Sequence, residues 1–285
     1  MFQGKARSYE PRAHSSHEPR AHRAMSARLM AASELYQLTF YLKTKTAMKI
    51  FLSSLGFILL VITVNAQQVI SDANAQQRNI SSFHAIKVSH AIDLYISQGN
   101  EEGVAVSAKN DEYRDKIKTA VENGVLKIWY DEDSKFWKNS GSKNLKAYIS
   151  FKTLNNLTAS GASDVQFVSK IKVNDLTINL GGASDLKGFV EASSLKIDLS
   201  GASDMTISGS ASNLTIEASG ASDFKGFDLQ TENCTVKANG ASSVKITVSK
   251  EINAQASGAS EVHFRGSGVI KDLKTSGASN VSKRG

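Results

Sequence analysis

One cysteine, Cys234, is all the chain carries, so no disulfide framework can hold it together. Both prolines, Pro11 and Pro19, lie near the start, and every bend further on must be made by other residues. From Gln67 onward the histidines are His84, His90 and His263. None stands at a metal-ligand spacing, and none neighbours a nucleophile-elbow signature. Arginine is equally sparse there, with Arg78, Arg114, Arg265 and Arg284. No cofactor motif is present, and no cofactor is expected.

The chain also lacks the polyanion-binding character that its formal charge of +7 and pI near 9.3 would imply. Residues 1–47 hold eight Lys/Arg against three Asp/Glu, and Lys49 adds one more positive charge. From Gln67 onward 25 basic residues face 24 acidic ones. A nearly neutral body does not steer towards nucleic acid, which is excluded as a partner.

Met48-Lys49 opens an apolar run, Ile50 to Val64, followed by Asn65-Ala66 and Gln67. A basic start, about 15 apolar residues and a small-residue end form a secretory signal peptide over 48–66. A retained membrane anchor is the competing reading, but the run is short for a span of ~20 residues. Once the signal is removed, no stable membrane span is expected. The protein is then exported, to the periplasm, the cell surface or the medium. Residues 1–47 duplicate Glu10-Pro11-Arg12-Ala13-His14 as Glu18-Pro19-Arg20-Ala21-His22. Either translation begins at Met48, or this stretch is a long disordered leader. Residues 67–80, polar and rich in Gln, Asn and Ser, form a flexible mature N-terminus.

What the chain has in quantity is a repeat. Gly-Ala-Ser recurs with its glycine at Gly161, Gly182, Gly201, Gly220, Gly240, Gly258 and Gly277, in steps of 18 to 21 residues. Four residues before the glycine stand Leu157, Ile178, Ile197, Ile216, Val236, Ala254 and Leu273. Four residues after it stand Val165, Leu186, Met205, Phe224, Val244, Val262 and Val281. Apolar and polar residues alternate around these positions, the period-two pattern of a strand with one buried face. Two short strands and two corners fill each ~19-residue repeat, leaving no room for a full helix. The fold class is therefore all-β: a parallel β-helix, or solenoid, of about seven 19-residue coils with like positions stacked ~4.8 Å apart. At each corner glycine supplies a positive φ, and Ala and Ser are small enough to stack inside the bend. Cys234 falls in the file of Leu176, Leu195, Leu214 and Ile252, a small buried hydrophobe in preference to a reactive thiol.

Residues 81–150 form a β-rich N-terminal cap ahead of the repeats at 151–285. Ile86 and Val88, Ile92 to Ile96, and Val104 and Val106 mark three strands. Asp111 to Lys116 is one helical turn or a loop. Ile117 to Val121 and Val125 to Tyr130 meet across Asn123-Gly124 in a type I′ hairpin. Leu145 to Phe151 is the strand leading into the first coil. Trp129 reads as strand packing, whereas Trp137, Phe136 and Tyr113 are the candidate exposed contact residues.

Asp164, Asp185, Asp204 and Asp223 follow successive tripeptides, and Ser243, Glu261 and Asn280 continue the column. Two readings stand. Stacked carboxylates could hold a ladder of hard cations such as calcium. Alternatively, they form a solvated face chosen for turn chemistry and balanced by Lys187, Lys225 and Lys245.

The strand Ile92–Ile96 running into Gln98-Gly99-Asn100, the hairpin Asn123-Gly124-Val125-Leu126-Lys127-Ile128 and the Ser-Gly-Ala-Ser-Asp corners together resemble a bacterial envelope family. That family is described as putative auto-transporter adhesin, head GIN domain, and the resemblance covers residues 80 to 283. It implies a secreted or envelope β-solenoid and brings no catalytic residues. The expected function is a non-enzymatic binding or scaffold protein contacting carbohydrate or another envelope protein through its repeat faces. A polysaccharide-acting β-helix lyase or hydrolase is the alternative.

Overall fold

A computed structural model describes residues 72–131 and 142–284. The leader at 1–47, the signal segment at 48–66, Phe136 and Trp137 all lie outside the described residues. Strands dominate: β1 (Gln76–Arg78), β2 (Ala85–Val88), β3 (Asp93–Gln98), β4 (Gly103–Ser107), β5 (Ile117–Glu122), β6 (Val125–Tyr130), β7 (Lys146–Phe151) and β8 (Asn156–Ala159). The repeats supply β9 (Val165–Leu180), β10 (Asp185–Leu199), β11 (Asp204–Ala218), β12 (Asp223–Ala238), β13 (Ser243–Ala256), β14 (Glu261–Arg265), β15 (Val269–Thr275) and β16 (Asn280–Lys283). Among the described residues there is one short helix, α1 (Asp111–Asp115), capped by the Asn110 side chain accepting from the Tyr113 N–H.

The repeats stack as a parallel solenoid. Leu176, Leu195, Leu214, Cys234 and Ile252 are successive register partners, as are Ile178, Ile197, Ile216, Val236 and Ala254. All are buried in one continuous core. Burial pushes the Cys234 thiol well above its ordinary range, which keeps it protonated and unreactive. The two short strands expected per coil are fused: β9 to β13 each run 14 to 16 residues from one tripeptide to the next. The second corner is a register slip within the strand, as between Lys187 and Phe189 or Thr206 and Gly209, and not a break.

The Gly-Ala-Ser corner has a clear division of labour. Each glycine from Gly161 to Gly277 has a positive φ of 70 to 88°. Each carbonyl from Gly161 to Gly258 accepts the N–H of the alanine one coil on, at 2.7 to 2.8 Å. The serine turns inward and is buried at Ser163, Ser184, Ser203, Ser222, Ser242 and Ser260. Its hydroxyl donates to the carbonyl three residues earlier, at 2.8 to 3.1 Å. A buried hydroxyl is thereby satisfied in every coil. The alanine, expected inside the bend, is instead exposed in each of these corners, because the serine takes the inner position.

The N-terminal part departs most from a simple cap. The hairpin forms as expected, with Glu122 opposite Val125 and positive φ at Asn123 and Gly124. Yet β2 and β3 are themselves a coil: β2 pairs parallel with β8, and β3 with β9. Their corner, His90-Ala91, takes φ of 67° and 55° where the repeats use glycine. A further rung, β6 and β7, lies outside them, pairing parallel with β2 and β3. Leu145–Phe151 leads in chain order into β8 and the first Gly-Ala-Ser corner, as expected, but does not stack on that coil, because β3 lies between β7 and β9. Antiparallel strands border this end, β5 on β6, and β4 on β7 with β1 on β4.

Candidate functional site

Two surface features carry polar chemistry. The first is the acidic file. Asp185, Asp204 and Asp223 are direct register partners, followed by Ser243, Glu261 and Asn280. The file extends one coil further than the sequence repeat shows. Asp93 stands next to Asp164, since Leu94 pairs with Val165, and Lys146 lies beyond Asp93. Lysines from the neighbouring file neutralise part of it: Lys225 Nζ lies 3.2 Å from both Asp204 and Asp223, and Lys245 Nζ lies 3.9 Å from Asp223. The hydrogen bonds that Lys225 donates to Asp223 and Asp204 raise its pKa, so its charge persists. Among the described residues no three His, Cys, Asp or Glu side chains converge as a metal-binding group.

Asp93 is the strained member. Burial first, and then the charge of Asp164, raises its pKa above the ordinary 3.8. The folded chain therefore holds this proton more tightly than the unfolded chain. The associated stability is present below pH 3.8 and is lost as pH rises. Asp93→Asn is accordingly expected to stabilise the protein at pH 7 by roughly 0.5–1 kcal/mol, the scale of a cross-strand like-charge pair. Thermal melts from pH 7 down to pH 3 should show the gain fading in acid, and a pH-independent difference would contradict this account.

The second feature is a groove of about 690 Å³ beside the second corner. Its sides come from the β7–β8 loop, Lys152 to Asn155, and from the bends of β9 and β10 at Lys172–Asp175 and Glu191–Ser193, with His84 and Ser210 at the margins. Leu154 is buried beneath it. Gln98 ties the coils together there. Its side-chain amide donates to the Lys172 carbonyl at 2.9 Å, and its Oε1 accepts the Lys172 N–H at 2.7 Å. Charges of both signs sit on the rim, with Lys172 Nζ 3.9 Å from Glu191.

Tyr113, on α1, packs partly buried against the core and does not line the groove. The aspartates of the acidic file do not reach it either. The residues that do line it escaped sequence reasoning, because Gln98, Asn155 and Lys172 belong to three different coils and none follows the repeat. Their only sequence signal is local, the polar bends at Lys152-Thr153 and Asn174-Asp175.

A parallel β-solenoid with a polar side groove is the class that fold and site define. Residues 82–268 match the family described as putative auto-transporter adhesin, head GIN domain, and the chain belongs to that family. No curated protein matches it. Among solved structures, a putative adhesin from Bacteroides fragilis superposes with a TM-score of 0.66 at 19% identity, covering 74% of this chain and 96% of that one. A putative adhesin from Parabacteroides merdae gives 0.58 at 17%, covering 74% and 95%. A putative lipid binding protein from Parabacteroides distasonis gives 0.57 at 19%, covering 75% and 98%. These likenesses establish the fold. Among the described residues no helix is long and apolar enough to cross a membrane.

Proposed function

We propose that the chain is an exported, non-enzymatic envelope protein whose side groove binds an uncharged, extended glycan. Export rests on the apolar run Ile50–Val64 and on the family's adhesin description. The observation that carries the ligand class is the groove's lining. Side-chain amides, hydroxyls and balanced charges, from Lys152, Thr153, Asn155, Lys172, Asn174 and Asp175, surround a strip of Leu154, Val173 and Ala192. Such a lining offers directional hydrogen bonds to sugar hydroxyls with no net field to attract a polyanion. A lipid, which the P. distasonis relative's name invokes, fits less well, because these three residues are too little apolar surface for an acyl chain.

A glycan array tests the reading. Binding to neutral glycans is expected, and Asn174→Ala or Asp175→Ala should weaken it about 5- to 30-fold, as loss of one hydrogen-bonding partner implies. Preference for acidic glycans, or binding unaffected by either substitution, would remove the groove from the account. Asp175 and Glu191 also place carboxylates near Lys172, so the same glycans should be assayed for cleavage. Release of unsaturated or shortened products would make the chain an enzyme instead.

A further inference from the structure

The exposed large hydrophobic residues of the described chain are Val269, Ile270 and Leu273, at 63%, 42% and 46% exposure, and all three belong to β15. Two of them occupy core positions. Ile270 extends the file that ends at Ile252, and Leu273 the file that ends at Ala254. They are exposed because no described strand stacks over them. Each of the last two strands pairs on one edge alone, β15 with β13 and β16 with β14. Solenoids need a polar terminal rung, and an apolar open edge is a template for another strand.

The opposite end differs. There antiparallel strands border the outermost parallel rung, β5 on β6 and β4 on β7 with β1 beyond β4, and none of them carries an exposed large hydrophobic residue. A head-to-tail stack of copies would therefore set the apolar parallel edge against an antiparallel one that offers no exposed large hydrophobic residue. An isologous pair, open end to open end, matches like with like and closes on itself. Charge selects the register. Asp272 and Lys274 are the outward residues flanking Leu273, and they already lie 3.2 Å apart within one chain. In an antiparallel pair centred on Leu273, Asp272 of each copy faces Lys274 of the other. Centring on Asp272 or on Lys274 would oppose like charges instead.

We propose that a second copy of this chain closes the C-terminal end of the solenoid, with β15 pairing antiparallel to its mate about Leu273. The proposal goes beyond groove binding and does not depend on it. Light scattering on the full-length protein, with sedimentation to obtain the dissociation constant, is the test. A dimer is expected for the wild type. Asp272→Lys and Lys274→Asp should each weaken it about tenfold or more, because each sets like charges opposite one another. The double variant carrying both changes should recover the dimer. An equimolar mixture of the two single variants should form a heterodimer, since their charges are then complementary. These substitutions are on the exposed surface, and circular dichroism checks that folding is retained. A wild-type monomer would overturn the proposal. So would a dimer indifferent to the charge swaps, the result expected if copies associate through the apolar Ile50–Val64 run.

Discussion

Gly201→Ala is expected to lower stability by about 4 kcal/mol, or roughly 10 °C in melting temperature. The residue has φ of 78°, which an L side chain adopts at a cost of about 1–2 kcal/mol. A Cβ there would lie 2.4 Å from the Gly182 carbonyl oxygen. That oxygen cannot simply withdraw, since it accepts the Ala202 N–H at 2.7 Å, and losing that bond adds about 1 kcal/mol. The strain then passes to both neighbouring coils.

Gly161 provides the internal control. Its φ is 88°, but its nearest Cβ contact would be the His90 nitrogen at 3.2 Å. Gly161→Ala should therefore cost little more than the dihedral, about 1–2 kcal/mol. At His90 the sign reverses. This residue already holds φ of 67° in the corner, so His90→Gly relieves strain, partly offset by greater unfolded-chain entropy, for a gain of up to ~1 kcal/mol. Urea unfolding of the three variants reads the series. Equal losses for Gly201→Ala and Gly161→Ala would mean that coil-on-coil contact is not what demands glycine.

The same corner shows how far the sequence can be read. Where the rule is local, it is legible: glycine at the bend, the Leu195–Leu214–Cys234 file, and the Asn123-Gly124 hairpin all stand where chain chemistry puts them. The β2–β3 coil is hidden because His90-Ala91-Ile92 replaces Gly-Ala-Ser, although Ser89 and Asp93 keep the flanking residues. The missing serine has a structural counterpart. The Ile92 N–H donates to the Ser163 hydroxyl at 3.3 Å, just as the Ser163 N–H donates to Ser184 one coil on. The order of the outer rungs is a different matter. The β6–β7 rung stacks outside β2–β3, and pairing between strands 40 and 53 residues apart leaves no trace in periodicity. The groove shares that fate, as it too is built by non-local neighbours, Gln98 against Lys172 above all.

Phe224→Ala is expected to cost 3–5 kcal/mol, the range for deleting a fully buried aromatic ring. Phe224 is the largest member of a file that otherwise holds Val165, Leu186, Met205, Val244 and Val262. Parallel stacking cannot widen one coil without disturbing the next, so space for the ring must come from within the core. Gly226 supplies it. A Cβ at that position would lie 2.4 Å from Phe224 Cε1, and φ there is not in the left-handed region. Glycine is thus required by the ring first and not by its own φ, with the Lys245 carbonyl oxygen, 3.1 Å from such a Cβ, leaving little further room. Gly188 makes room for a ring on the adjacent coil, since its Cβ would fall 2.6 Å from both Cβ and Cδ2 of Phe167. Gly226→Ala alone should then destabilise by about 1–3 kcal/mol through overpacking. Combined with Phe224→Leu it should be nearly neutral, a coupling of at least ~1 kcal/mol in a double-mutant cycle. Additive effects would show that the ring and the glycine are independent, and that the coil accommodates Phe224 by shifting its backbone instead.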